Sequence, residues 1–277
     1  MLYLVATPIG NLKDITLRAL EILKEVNIIA CEDTRVSRTL LTHYGIKKTL
    51  LSYHDHNEVE MLPRILSLLK EGKQVAYITD GGMPLISDPG FKLVTACQRE
   101  GIPHTVIPGP SAPLMALCLS GLPSARFTFC GFLPPKSSAR KRELEALISL
   151  PTTLLFFESP KRLTAFLKDA QEVVGNRQGA VCREMTKLFE EVKRGPLSHL
   201  IDHYTTHPPR GEIVVLIEGA LEAPPLSEET LTNHLQKALE TYSVKEAADL
   251  VAKALGVPKR EVYQHALTLK NKTKGLP

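Results

Sequence analysis

Strand-length runs, several of them continuously apolar, alternate with amphipathic stretches through residue 120, and that rhythm leaves few folds open. Residues 2–6, 27–31, 50–53, 75–79 and 104–107 are runs of strand length. Residues 16–25, 34–44, 58–71, 92–99 and 111–120 repeat their apolar positions at helical spacing, as Leu17, Leu20 and Leu23 or Leu62, Ile65, Leu66 and Leu69 show. Asp14 or Thr16 is placed to cap the first of these helices, and Gly45 to stop the second. Strands that are apolar throughout and separated by helices imply a mostly parallel sheet covered on both faces. The class is therefore α/β.

The pattern resumes after a join near residues 123–131. Strands are expected at 126–131, 153–157, 179–183 and 212–218, with helices at 139–150, 161–174 and 196–205; residues 188–193 suit either. Residues 220–229, with Pro224 and Pro225, read as a linker. Helical segments at 228–241, 245–255 and 259–270 follow, the last two joined by Gly256-Val257-Pro258. That join suits a helix-turn-helix or a helical hairpin packed on the second lobe. The expected domains are an N-terminal α/β lobe at 1–122, a second α/β lobe at 123–219, and a linker with a small all-helical extension at 220–277.

With 43% hydrophobic and 23% charged residues over 277, the chain has the balance of a soluble globular protein, with no stretch long enough to span a membrane. Its apolar N-terminus lacks the basic start of a signal peptide, and Cys31, Cys97, Cys118, Cys130 and Cys182 never form a C-x-x-C pair. Reduced thiols in the cytoplasm are the expectation, with neither disulfide nor metal site. Net charge is +4, unevenly spread: Lys136, Arg140, Lys141 and Arg142 form one basic cluster, and the tail after Gly256 forms another. Each suits a solvated face alone; two together favour a polyanionic partner.

Ligands of open α/β sheets bind beyond the carboxyl ends of the strands. The loops there are Thr7-Pro8-Ile9-Gly10-Asn11, Glu32-Asp33-Thr34-Arg35, the stretch from Asp80 through Gly82, Met83 and Pro84 to Gly90, and Pro108-Gly109-Pro110-Ser111-Ala112. Glycine and proline fix their shape and let a ligand approach the main chain. No G-x-G-x-x-G follows the first strand and no P-loop occurs, which removes the usual nucleotide sites. Asp80 and Asp88 do not match a calcium loop, and His54-Asp55-His56 lacks further ligands. What remains is a small-molecule site that does not bind phosphate.

Taken in order, these loops resemble the tetrapyrrole methylase superfamily, and more closely its ribosomal RNA small subunit methyltransferase I branch. Further matching segments are His56-Asn57-Glu58, Gly131-Phe132-Leu133-Pro134, Phe157-Glu158-Ser159-Pro160, Arg183-Glu184-Met185-Thr186-Lys187 and Gly211-Glu212-Ile213-Val214. The resemblance implies two α/β lobes with S-adenosylmethionine in the cleft between them, usually in a homodimer. It implies methylation of the ribose 2′-oxygen of a cytidine in the decoding centre of 16S rRNA, customarily position 1402, on free rRNA or the 30S subunit. Carried over by position, the cofactor would be held by Thr7, Pro8, Ile9, Gly82, Met83, Pro84, Ile86, Ser111, Ala112, Phe157, Met185 and Ile213. Met83 departs from the family's usual threonine, and Met185 from its leucine.

A ribose hydroxyl is a weak acid, so a base or a cation beside it should help. The same pattern offers Asp33 or Glu58 as proton acceptor, near Glu32 and Asn57, and Arg35 to hold a neighbouring phosphate. A structural Asp33–Arg35 ion pair is the competing reading. The other functions open to the chain are a precorrin-type C-methyltransferase and a non-catalytic ribosome-assembly protein with a cofactor pocket. A nicotinamide-dependent oxidoreductase ranks last, for want of the glycine fingerprint.

Overall fold

The computed structural model describes residues 1–220, 228–255, 257 and 259–274. They form two compact units, one ending at Ala220 and one made of the C-terminal helices. The expected linker falls largely outside the described residues, as do Gly256 and Pro258 of the last helical join.

The first sheet contains β1 (Leu2–Val5), β2 (Ile28–Cys31), β3 (Thr49–Ser52), β4 (Val75–Ile78) and β5 (His104–Ile107), in the order β3-β2-β4-β1-β5. Every pairing is parallel. The helices are α1 (Leu17–Glu25), α2 (Thr34–His43), α3 (Glu58–Lys70), α4 (Phe91–Arg99) and α5 (Ala112–Ser120). Side chains alternate along a strand, so each strand feeds two cores. Val5, Ile29, Ala76 and Ile78 pack with Ala19, Leu23, Leu40 and Leu41 of α1 and α2. Leu2, Leu4, Val75 and Tyr77 turn the other way, onto Ile65, Leu69 and Leu93 of α3 and α4. Thr16 caps α1 by accepting from the Ala19 amide at 3.1 Å, and Gly45, at φ 66°, follows α2.

The second sheet is mixed. It contains β6 (Phe127–Phe132), β7 (Thr153–Glu158), β8 (Gln178–Arg183), β9 (Glu191–Pro196) and β10 (Ile213–Ile217), ordered β6-β7-β10-β8-β9. Only β6 and β7 are parallel; β10 runs antiparallel to both neighbours, and β9 to β8. The segment open between strand and helix is thus an edge strand preceded by a turn. On one face lie α6 (Ser137–Leu147), α7 (Leu163–Val174) and α8 (Leu197–Thr206), whose Leu144, Phe166 and Leu200 cover Phe156, Val181 and Val215. The other face is covered by α5, with Ala116 and Leu117 against Leu155, Ala180 and Leu216. The last helix before the expected join at residue 122 therefore packs on the second sheet.

Two of the four charges of the basic cluster at 136–142 are paired. Arg140 is buried, with its guanidinium on Asp169 at 2.5 and 2.8 Å, and Lys141 reaches Glu172 at 2.6 Å. For Arg140 and Lys141 this departs from a solvated face: α7 supplies carboxylates that the local run does not reveal.

In the C-terminal unit, α9 (Glu228–Leu239), α10 (Val244–Leu255) and α11 (Lys259–Lys274) enclose their own core of Leu235, Ala247, Val251, Val262 and Ala266. No helix among the described residues is long and apolar enough to cross a membrane.

Candidate functional site

Parallel strands deliver their following loops to one edge, and in the first sheet those loops touch. Thr7 and Gly82 exchange two main-chain hydrogen bonds of 2.9 Å, joining the loop after β1 to the loop after β4. The Thr7 hydroxyl donates to the Thr79 carbonyl at 3.1 Å. Gly82 sits at φ 88°, open to glycine, beside Ile9 and the Pro110 carbonyl. Gly109, after β5, lies so close to β1 that a Cβ would stand 2.9 Å from that of Ala6. The result is a cradle lined by main chain from Thr7-Pro8-Ile9, Gly82-Met83-Pro84 and the approach to Ser111-Ala112.

Two strained stretches border it. Leu85 and Ser87 hold φ of 73° and 66° on either side of Ile86, and Glu184 and Thr186 hold 50° and 68° on either side of Met185. Left-handed backbone in non-glycine residues costs about 1–3 kcal/mol each and clusters at ligand sites. The second stretch belongs to the loop after β8 and reaches across to the first sheet, where the Asn11 amide donates to the Thr186 hydroxyl at 3.1 Å. Behind it, Met185 packs in one apolar cluster with Ala112, Met115, Phe129 and Phe157. Ile213 joins the opposite core instead, with Leu163 and Phe166, so its side chain is turned away from Phe157 and Met185.

Carboxylates gather at the same edge. Burial, with Asp80 and Asp55 nearby, raises the proton affinity of Glu32. Burial does the same to Asp80, with Asp33 adding to it. Asp88 is pushed up to about 6, first by burial and then by Glu32, Asp80 and Asp55. Below them the Tyr77 hydroxyl is buried without a hydrogen bond, and desolvation beside Glu32 and Asp88 raises its proton affinity well above the ordinary tyrosine range.

Asp33 and Arg35 form the ion pair of the competing reading. Asp33 caps α2 through the Arg35 amide at 2.8 Å, and the Arg35 Nη2 contacts Asp33 Oδ2 at 2.6 Å, with the Arg35 side chain 88% exposed. These bonds hold the Asp33 carboxyl at about 2. Its amide donates to Asp80 at 3.1 Å, tying the loop after β2 to the loop after β4. Glu58, at the start of α3, is buried and bonded to Lys92 of α4. Asn57 accepts from the His54 amide at 2.8 Å and donates to the Ser52 carbonyl at 3.1 Å, shaping that turn.

Comparison with known proteins gives this edge its context. Residues 1–201 match the family model of tetrapyrrole (corrin/porphyrin) methylases, and residues 225–270 match the RsmI C-terminal HTH domain. A ribosomal RNA small subunit methyltransferase I from Mesorhizobium japonicum is 49% identical over 272 residues, covering 98% of this chain and 92% of that protein. The chain belongs to the ribosomal RNA small subunit methyltransferase I family. A Thermotoga maritima member is also 49% identical, over 218 residues that make up 98% of its length and 79% of this chain. Among solved structures, the uroporphyrin-III C-methyltransferase of Thermus thermophilus aligns at TM-score 0.55 and 22% identity, over 78% of this chain and 93% of that one. The cobalt precorrin-4 methyltransferase CbiF aligns at 0.57 and 20%, over 78% and 94%. These two likenesses show the fold.

As a member of this family the chain is a methyltransferase, and its methyl donor is S-adenosylmethionine. The residues suit that donor. Loops joined through their main chain at Thr7 and Gly82, an apolar cluster containing Ala112, Phe157 and Met185, and neighbouring carboxylates suit a cationic sulfonium ligand without phosphate. Among the described residues no group of three metal-ligating side chains converges. Asp88 is the candidate residue that sequence reasoning passes over. In the sequence it stands out as half of a poor metal loop and as part of the matching stretch that ends at Gly90, because its burial depends on packing made after folding.

Proposed function

We propose that the chain methylates the ribose 2′-hydroxyl of a decoding-centre cytidine in small-subunit rRNA, acting in the cytoplasm as a homodimer. The observation that carries the acceptor is the 49% identity, along 98% of the chain, to a protein named for small-subunit rRNA. The tetrapyrrole acceptor has behind it the broader family model over residues 1–201 and likeness of fold at 22% and 20% identity. The five cysteines are free and three are buried, which suits a reducing compartment.

Thr7, Pro8, Ile9, Gly82, Met83, Pro84, Ile86, Ser111 and Ala112 would hold the donor along the first-sheet edge. Phe157 and Met185 would close the apolar side, and Ile213 would contribute main chain. Bound there, S-adenosylmethionine would supply a methyl group open to attack by oxygen, with the neutral thioether as leaving group. The protein's part is to fix the acceptor, exclude water and take up one proton. Orientation of this kind can contribute roughly 7–11 kcal/mol.

Asp88 suits the role of proton acceptor, because a carboxyl near 6 is ionised at neutral pH yet more basic than an ordinary one. Asp33, held at about 2, is a poor base. Its place is in a rigid pair with Arg35, whose Nη1 lies outside that pair and can meet a phosphate. Glu58, bonded to Lys92, positions the turn beneath the carboxylates. The test is methyl transfer from labelled S-adenosylmethionine to small subunits from cells lacking the protein. Label on one cytidine with its 3′ linkage resistant to alkali supports the proposal; label on a base refutes the ribose assignment.

A further inference from the structure

Beside the carboxylate edge, α2 and the terminal strand β3 enclose a groove of about 680 Å³. Leu41, Ile46 and Leu50 line its apolar part, and Thr34, Thr42 and Thr49 contribute hydroxyl-bearing side chains. Its charged residues are Arg38, Lys47 and Lys48, with no carboxylate among the lining residues. Lys48 is tethered to the Val26 carbonyl at 2.6 Å. Arg38 and Lys47 are exposed and have no ion-pair partner among the described residues.

That coherence of sign is local. A second cavity, of about 470 Å³, is lined by Arg183, Lys193 and Arg210 but also by Glu184 and Glu191, and Arg183 is bonded to Glu191 at 2.6 Å. Its field is spent internally, as is that of Arg140. The α2–β3 groove keeps its charge for a partner. It also begins at Thr34, the residue after Asp33, and continues along α2 to Thr42, roughly 12 Å at 1.5 Å per residue. A strand leaving the carboxylate cluster past Arg35 would run into it.

We propose that this groove is a subsite for the phosphodiester backbone of the RNA acceptor, with Arg38 and Lys47 on phosphates of nucleotides flanking the target. The proposal rests on the reading that the acceptor is rRNA. The charge belongs to residues of α2 and of the connection to β3, which only the fold brings together.

The test uses the full chain with the double substitution Arg38→Glu and Lys47→Glu. Methyl transfer to small ribosomal subunits is followed across a potassium chloride series, with S-adenosylmethionine affinity measured by calorimetry. The expected result is a KM for subunits raised tenfold or more, with kcat and cofactor Kd unchanged. The slope of log(1/KM) against log salt should become shallower by about 1.4, at about 0.7 for each phosphate that is no longer neutralised. Arg38→Lys with Lys47→Arg should restore KM, and Arg38→Gln with Lys47→Gln, a gentler change to the fold, should lie between. Transfer by the parent chain with unchanged KM and salt slope in the reversed variant refutes the subsite alone. No transfer to rRNA by the parent chain refutes the acceptor, and the subsite with it.

Discussion

The two five-stranded sheets of the first unit are built on opposite principles. In the first, all pairings are parallel, so the loops after β1, β2, β4 and β5 arrive at one edge. In the second, β10 runs against both neighbours and the strand ends are divided between two edges. The first sheet therefore brings four loops together, and with them the cradle and the carboxylates. The second supplies a wall, through Phe157 and the loop carrying Met185, and holds itself together with buried ion pairs such as Arg140–Asp169. Strand direction thus decides which sheet can concentrate chemistry. The substitutions that follow should separate activity from stability along that division.

The largest effect is expected from Asp88→Asn, which should lower single-turnover methyl transfer by about 10²–10⁴-fold while leaving S-adenosylmethionine affinity intact. In the parent chain the rate should fall as pH drops through about 6, where Asp88 takes up a proton. The stability sign is opposite. The native state binds this proton more tightly than an ordinary aspartate does, so ionisation destabilises the fold as pH rises from about 4 to 6. Asp88→Asn should therefore raise Tm at pH 7, a gain in stability with a loss of rate. A variant that loses both would make Asp88 structural.

Next comes Arg140→Ala in the second sheet's layer. It leaves Asp169 buried without its partner and should lower unfolding free energy by about 3–5 kcal/mol in denaturant titration. The protein that remains folded should keep its kcat. Smaller is Gly109→Ala, whose Cβ meets that of Ala6; overpacking of this kind costs about 1–3 kcal/mol. Here calorimetry should show weakened cofactor binding as well, because the cradle itself is displaced. The smallest effect on cofactor affinity should come from ending the chain at Ala220. The C-terminal helices enclose a core of their own, and the Thermotoga relative consists of little more than its 218 aligned residues. A fall in cofactor affinity on truncation would give the helices a part in the site.

The central strands of the first sheet were legible because strands covered on both faces are apolar throughout; Val75–Ile78 is buried at every position. The second was legible as elements but not as a topology. Antiparallel pairing of β10 with β7 and β8 joins residues far apart in the chain, and no local period encodes it. The loops that meet at the first-sheet edge were readable from glycine and proline, whose backbone shapes are intrinsic. The side-chain chemistry was less so. Arg140 looks like a surface charge until Asp169 of α7 closes on it, and Asp88 looks like a loop residue until burial raises its proton affinity. Arg38 and Lys47, nine positions apart, become one site only when α2 lies along β3.

The most direct measurement is a crystal structure of the full chain with S-adenosylhomocysteine. The expected result is a ligand held by main chain at Thr7–Ile9, Gly82–Ile86 and Ser111–Ala112, against Phe157 and Met185. A ligand seated away from the carboxyl edge of the first sheet, as in the cavity lined by Arg183 and Arg210, would contradict the division between a reactive parallel sheet and a supporting mixed one.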